Sequence, residues 1–331
     1  MAGVAVNTAS TILNRRPNSW ASEATSNRVF EAAKELGYRP NRAAQALQSG
    51  KYHSIGLLVP DLNNPYFSYI SSLMGELVEA KGYELVIESW RADLGREKKL
   101  LASFGQRNVD AVALFASDVE SHRELFEFEA KAGIPMLVMA MPGSPNLPVD
   151  MVMPDFEAGI REAVDRLYVL GHRDFVFLAA RSEGQRVGQR PNLFLNAVNS
   201  YEGCKAKVVK CGHAATDAKE AAKVFLSEKN RPTAVMALND YSAFGVLRAA
   251  KECGLRVPED LSVVGIDGIP LAEQLTISLA TIAMPHKEMM EKTVEILLRR
   301  IDSEGELLPA RAVFQAKFIE RESVGAVGGM N

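Results

Sequence analysis

The sequence predicts an α/β protein with two parallel-sheet subdomains, preceded by a small all-helical segment. From Ser54 onward, short runs rich in valine, isoleucine and leucine alternate with amphipathic stretches long enough for helices, such as 67–81 and 243–253. Strands that are apolar along their whole length are typical of parallel sheets covered on both faces. The runs lie at 54–60, 83–89, 109–116, 135–141, 149–154, 174–180, 206–212, 233–239 and 261–267. These strands are too many for one ordinary open sheet, so we expect two.

The first 52 residues carry helix signals and no strand signal. Ser22 with Thr25 can cap a helix over 23–36, and Gly37 can end it. Two shorter helices are predicted on either side of it, over Thr8–Leu13 and Asn41–Gln48. We therefore expect a separate helical unit at this end of the chain.

The charge is unevenly distributed between these two parts. Residues 1–52 hold seven lysines and arginines against three glutamates, a net charge of +4, while the remainder carries −7. A basic end on an acidic body indicates an anionic partner at that end, although a solvated surface can have the same charge. With no apolar run near the ~20 residues that span a bilayer and no signal-peptide pattern, we expect a cytoplasmic protein without a membrane partner.

No enzyme motif is present. The chain lacks GxxxxGK[ST], GxGxxG after a strand, HExxH and GxSxG, so we predict no catalytic residue and no cofactor. Cys204, Cys211 and His213 lie close together, but their spacing matches no zinc pattern, and we predict no metal site.

Polar residues follow several of the predicted strands. In open α/β sheets, ligands bind outside the carboxyl ends of the strands, and between two lobes the site lies in the cleft. Such residues also cap helices and shape turns, which is the alternative for each one taken singly. Their recurrence at equivalent strand ends favours a site. They are Asp61, Asn63, Asn64, Asn239, Asp240 and Asp267.

Five segments, in order, resemble the lactose/galactose-repressor family. They are AGVAVNTASTILN (2–14), YRPNRAAQALQSGKYHSIGLLVPDLNNPYF (38–67), LGHRDFVFLAA (170–180), ALNDYSAFGVLRAAKECGLRVPEDLSVVGID (237–267) and SLATIAMP (278–285). A lone NDxxAxG would be a weak signal, but this ordered set covers essentially the whole chain. Relative to the family pattern, the chain starts at the turn of the helix-turn-helix, without its first helix.

The resemblance implies a domain order. Residues 1–39 would form a DNA-binding headpiece (an incomplete helix-turn-helix), and 40–53 a hinge helix and linker. Residues 54–331 would form an effector-binding and dimerisation domain, two-lobed like periplasmic sugar-binding proteins. Its first lobe would comprise about 54–147 and 286–309, and its second about 148–285 and 310–325.

The resemblance also implies the DNA contacts. The recognition helix would read the major groove, with Val6 and Asn7 as specificity positions. Asn7 could instead simply face water at the helix start. The leucine of the hinge, Leu47, would wedge between base pairs in the minor groove, or else pack onto the body. The remaining expected DNA contacts are Thr8, Ser10, Asn14, Asn41 and Arg42.

For the effector, the resemblance points to Arg190 and Asp267. Arg186 could compete with Arg190, and an Arg–Asp pair could merely tie two loops. Asn239 and Asp240 would add donors and acceptors, while Asn64 and Phe67 would close the cleft from the other lobe. An arginine, an aspartate, asparagines and few aromatic rings suit a hydroxylated small molecule, neutral or anionic, with a sugar as the family default.

We therefore expect a transcription regulator of the repressor type. It would bind a pseudo-palindromic operator as a homodimer, with an affinity controlled by a sugar-like effector. Two alternatives remain: a ligand-binding protein of the periplasmic kind that does not bind DNA, and a nucleotide-dependent α/β enzyme.

Overall fold

A computed structural model divides the chain into two compact units, Met1–His53 and Ser54–Asn331. The division falls where the hinge segment was expected to end. The structure describes residues 2–13, 20–38, 50–91, 93–104, 109–116, 123–124, 126–127, 134–140, 147–180, 189–212, 214–303, 305 and 307–329. In that part of the chain, no helix is long and apolar enough to cross a membrane.

The first unit contains the helices α1 (Val6–Leu13) and α2 (Glu23–Glu35). The predicted cap of α2 is confirmed, because the Ser22 hydroxyl accepts a hydrogen bond from the Thr25 amide at 3.3 Å. Gly37 follows α2 with a φ of +60°, a left-handed conformation that glycine adopts without steric cost. The apolar side chains that α1 and α2 bury in this unit are Ile12 and Val29.

The second unit contains two six-stranded sheets. The first has the order β11-β5-β4-β3-β1-β2, and all its strands are parallel. Its strands are β1 (Ser54–Val59), β2 (Glu84–Ser89), β3 (Ala111–Phe115), β4 (Met136–Met139), β5 (Asp150–Asp155) and β11 (Arg311–Gln315). Its helices include α3 (Pro65–Glu79), α4 (Leu94–Phe104) and α10 (His286–Ile301). This sheet and its helices form the first lobe.

The second sheet has the order β12-β10-β9-β8-β6-β7, and only β12 runs antiparallel to its neighbour. Its strands are β6 (Asp174–Ala180), β7 (Lys205–Cys211), β8 (Ala234–Ala237), β9 (Ser262–Asp267), β10 (Ala280–Ala283) and β12 (Lys317–Ile319). Its helices are α5 (Glu157–Val169), α6 (Gln189–Asn199), α7 (Ala215–Leu226), α8 (Asp240–Glu252) and α9 (Pro270–Glu273). These elements form the second lobe.

The chain passes between the lobes three times. It crosses at Phe156, after β5, returns at Met284–Pro285, between β10 and α10, and crosses again at Ala316, between β11 and β12. The predicted lobe boundaries are therefore wrong in two places. Strands β5 and β11, which were assigned to the second lobe, complete the first sheet by pairing with each other, Arg311 opposite Met151.

The nine predicted strands are confirmed, and three further strands were not predicted. Strand β10 lies in the segment 278–285, which resembled the family but was not assigned to a strand from the sequence. Strands β11 and β12 alternate exposed and half-buried side chains and lie at sheet edges, so they lack the continuous apolar run of a buried parallel strand. Only the pairing within the tertiary fold identifies them as strands.

Candidate functional site

A cleft of about 200 Å³ lies in the second unit, where strands of both sheets end. Its lining side chains come mainly from the carboxyl ends of strands, from the crossovers and from the starts of helices, as expected for paired open sheets. The polar lining residues are Asn64, Tyr66, Arg190, Asn239 and Asp267. The apolar ones are Pro60, Phe67, Phe115, Ala116, Met139, Ala140, Pro154, Phe156, Met284 and Met289.

The second lobe supplies a cation and an anion to this cleft. Arg190, in the first turn of α6, donates a hydrogen bond from Nη1 to the carbonyl of Leu238 at 2.8 Å. Its guanidinium carbon lies 5.3 Å from the ring centroid of Phe156, within range of a cation–π interaction. Burial lowers the pKa of Arg190, while Asp267 raises it. The bond to Leu238 uses one of the five N–H donors of the guanidinium, which leaves donors for a ligand.

Asp267 ends β9 in an unusual backbone conformation, with a φ of +120°. Its carbonyl accepts hydrogen bonds from Nε2 of His286 at 2.7 Å and from the amide of Met284 at 3.2 Å. These bonds tie the end of β9 to the second crossover and to the first residue of α10. Burial and the nearby Asp240 raise the pKa of Asp267 well above its usual value, while Arg190 lowers it. A strained residue held by several bonds at a cleft is typical of a functional position.

The two asparagines of the cleft cap helices that begin there. Oδ1 of Asn64 accepts from the amide of Tyr66 at 3.0 Å at the start of α3. Oδ1 of Asn239 accepts from the amide of Ser242 at 2.8 Å at the start of α8. The sequence left helix capping and a place in the cleft as alternatives, and both apply to these two asparagines. The capping bonds use only Oδ1, so each Nδ2 group remains for other contacts.

Asp240 was predicted to bind effector, and its position corrects that prediction. It is fully buried and is not among the lining residues of the cleft. Its carboxylate accepts from the amides of Gly268 and Ile269, both at 2.9 Å, and from Oγ1 of Thr281 at 2.6 Å. Burial raises its pKa to about 6, against the lowering effect of these bonds. Asp240 thus holds the loop that follows Asp267 rather than a ligand.

Three aromatic rings lie together in the first-lobe wall of the cleft, where few aromatic residues were expected. Tyr66, Phe67 and Phe115 pack edge to face, with centroid distances of 4.9, 5.3 and 6.0 Å. Burial and then the negative charge of Asp267 raise the pKa of Tyr66, while the positive charge of Arg190 lowers it. The sequence interpretation missed Tyr66, although it directly precedes Phe67 in the segment NNPYF.

In the first unit, helix α1 exposes the predicted reading positions. Val6 is 84% exposed, and Asn7 and Thr8 are also exposed, while Ser10 is half-buried and Ile12 is buried. Oγ1 of Thr11 donates to the carbonyl of Asn7 at 2.8 Å within the helix. The start of α1 therefore presents side chains that can reach another molecule.

Several predictions concern residues outside those that the structure describes. They are the DNA contacts Asn14, Asn41, Arg42 and Leu47, the hinge helix over 41–48, and the competing arginine Arg186. His213, weighed with two cysteines as a metal ligand, also lies outside. Across the described ranges, no group of three or more histidine, cysteine, aspartate or glutamate side chains is arranged to hold a metal ion.

Two parallel-sheet lobes, three crossovers and a polar cleft between strand ends define a two-lobed ligand-binding protein of the periplasmic-binding type. In agreement, residues 164–324 match the pattern of a periplasmic binding protein-like domain, and residues 1–41 match that of bacterial regulatory proteins of the lacI family. The chain is 32% identical over 325 residues to the HTH-type transcriptional repressor PurR of Serratia proteamaculans, which covers 98% of this chain and 94% of that protein. The chain belongs to the lacI family.

Solved structures support the same assignment. The Lac repressor dimer bound to operator and the anti-inducer ONPF is similar with a TM-score of 0.80 at 25% identity, over 98% of this chain and 97% of that one. A LacI family transcriptional regulator from Arthrobacter sp. FB24 in complex with lactose has a TM-score of 0.71 at 28% identity, over 82% of this chain and 98% of that one. The family expectation from the sequence is confirmed.

Proposed function

We propose that the chain is a transcription repressor whose operator affinity is controlled by a small polar effector, a sugar or a compound of similar size. The observation that carries the proposal is the convergence of Arg190 and Asp267 on one cleft. A guanidinium and a carboxylate together can recognise adjacent donor and acceptor groups, which an apolar wall could not. A pair that only tied two loops would be hydrogen-bonded to each other, whereas Arg190 bonds the backbone of Leu238.

The exposed start of α1 supports the DNA-binding half of this proposal. In the major groove, Asn7 can pair with adenine, and Val6 can contact a thymine methyl group. The +4 charge of residues 1–52 adds sequence-independent attraction to phosphate, which weakens as salt concentration rises. We place this activity in the cytoplasm, where the DNA is.

We also propose that the repressor is a homodimer with two-fold symmetry. One short helix reads too few bases to specify an operator alone, and a symmetric dimer presents two such helices to a pseudo-palindromic site. Strand β2 lies at the edge of the first sheet, and its Ile87 is 40% exposed, which offers apolar area for association. Sedimentation that gives a monomer at micromolar concentration would refute this.

The test of the function is a gel-shift titration with the DNA that flanks the protein's own gene, with and without candidate sugars. We expect a saturable, salt-sensitive complex, weakened about fivefold or more by Asn7→Ala, since losing a bidentate base contact costs about 1–3 kcal/mol. Arg190→Ala should bind the DNA but not respond to the effector. Glu320→Ala, in an exposed ion pair with Arg166, serves as a control that should behave as wild type. No DNA binding by the wild type would overturn the proposal.

A further inference from the structure

The two walls of the cleft differ in polarity. Among the described residues, the second lobe contributes the polar side chains Arg190, Asn239 and Asp267, and the crossovers add Phe156 and Met284, with the Phe156 ring beside the Arg190 guanidinium. The first lobe contributes mostly apolar ones, among them Phe67 and Phe115. A ligand bound between these walls therefore meets most of the hydrogen-bonding side chains on the second-lobe side and mostly hydrocarbon on the first-lobe side.

Among the described residues, few side-chain polar atoms line the first-lobe wall. Asn64 uses Oδ1 to cap α3, which leaves its Nδ2, and Tyr66 adds one hydroxyl. The Tyr66 ring packs edge to face against Phe67 and Phe115, so its hydroxyl belongs to the first-lobe wall. A ligand hydroxyl turned toward Phe67 and Phe115 would lose its water and meet no partner among the side chains described there, which costs roughly fivefold to 150-fold in affinity.

The volume limits the ligand to one ring. The cleft holds about 200 Å³, below the roughly 300–1,000 Å³ of pockets for drug-sized ligands. A disaccharide would not be enclosed by it.

We propose that the effector is a single-ring compound with adjacent hydrogen-bonding groups on one edge and an apolar edge opposite, and this rests on the effector role proposed above. The polar edge lies against Arg190, which donates, and Asp267, which accepts from a hydroxyl. The apolar edge lies against Phe67, Phe115 and Met139. A sugar that is hydroxylated all round its ring fits this cleft less well.

The direct test measures binding of four probes by calorimetry. Two of them, cis-cyclohexane-1,2-diol and catechol, have adjacent hydroxyls on one edge only. The third, myo-inositol, is a ring with the same number of carbons and a hydroxyl at every position. The fourth, lactose, has two rings. We expect both diols to bind at millimolar concentration and lactose not to bind. The affinity for myo-inositol should be lower than that for the diols by about tenfold or more. Equal or tighter binding of myo-inositol or lactose, or binding of none of the four, would overturn the proposal.

Matched variants test how each wall contributes to the preference for diols over myo-inositol. Asp267→Asn should lose the diols, while Val169→Asn, on the surface, should bind all probes as wild type. Phe115→Asn should lower the ratio of the diol affinity to the myo-inositol affinity at least threefold, because the amide gives a hydrogen-bond partner to the inositol hydroxyls on that side. Ala116→Ser makes the same test with a smaller change, in case the first variant lowers the melting temperature. An unchanged ratio in folded Ala116→Ser and Phe115→Asn would refute the role of this wall.

The outcome separates this inference from the proposed function. Diol binding without any operator complex would leave the ligand class standing and remove the repressor role. An operator complex that responds to lactose and not to the ring diols would do the reverse.

Discussion

Replacing Asp240 tests whether a buried carboxylate shapes the cleft without touching its ligand. In the wild type, three donors share this carboxylate: the amides of Gly268 and Ile269 and the hydroxyl of Thr281. In Asp240→Ala, the Gly268 amide keeps a longer bond of 3.2 Å to Oγ1 of Thr281. The other two donors lose their acceptor. A buried donor without a partner costs about 1–3 kcal/mol, so we expect the variant to lose roughly 3 kcal/mol of unfolding free energy.

Asp240→Asn is the matched comparison. Its amide oxygen can still accept from both backbone amides, and only the partner of Thr281 changes, so we expect a loss of about 1 kcal/mol. The pKa of Asp240 is raised by burial to about 6 in the folded protein, above its ordinary value of 3.8. The proton therefore binds the folded state more tightly, and the stability that it contributes is lost as pH rises through about 6. The asparagine variant should lack this loss.

Urea unfolding followed by circular dichroism measures these differences. The comparison requires that unfolding free energy falls with urea concentration at the same slope in each variant. Glu320→Ala is the control, because its ion pair with Arg166 is exposed and should be worth less than about 1 kcal/mol. Equal losses in Asp240→Ala and Asp240→Asn, or a loss in the alanine variant no larger than in the control, would refute the hydrogen-bond reasoning.

Two further predictions concern buried positions away from the cleft. His172 bonds Thr233 and Gly325 and has a pKa lowered chiefly by burial, so unfolding free energy should fall as pH drops below about 6.5. His172→Gln should flatten that dependence in pH-resolved urea titrations, and an unchanged slope would contradict it. Gly245→Ala should cost about 1–3 kcal/mol, because a Cβ would lie 2.1 Å from a carbonyl oxygen of α7. Gly75→Ala in α3 should instead raise the melting temperature slightly, because the nearest atom to its Cβ would be Cδ2 of Leu85 at 3.8 Å. A lower melting temperature for Gly75→Ala than for Gly245→Ala in calorimetry would show the packing argument wrong.

Local sequence signals were sufficient for the elements that bury a continuous apolar run or carry a helix cap. The nine predicted strands and the Ser22-capped helix α2 follow from neighbours in the chain, because side-chain period and capping bonds act over a few residues. The position of Asn64, Phe67, Arg190, Asn239 and Asp267 in one cleft also followed, because all lie at strand ends or helix starts and parallel strands end on the same side of a sheet.

The role of Asp240 could not be read from its neighbours. Asn239 and Asp240 are adjacent in sequence and begin the same helix, but one lines the cleft and the other is enclosed. The difference depends on Thr281 and Gly268, which lie 41 and 28 positions further along the chain. Successive side chains at a helix start point in different directions, and only the packing of β9 and β10 decides which one meets solvent.

The sequence by itself determined the fold class, the family and the basic first unit, since each rests on composition, local period or ordered motifs. Only the tertiary structure decided that β5 and β11 belong to the first sheet, and that Tyr66, Phe67 and Phe115 pack together in the cleft that Arg190 also lines. Strand pairing and a cleft wall join residues far apart in the chain. Their free energy comes from surfaces that exist only once the lobes have packed, so no local pattern records them.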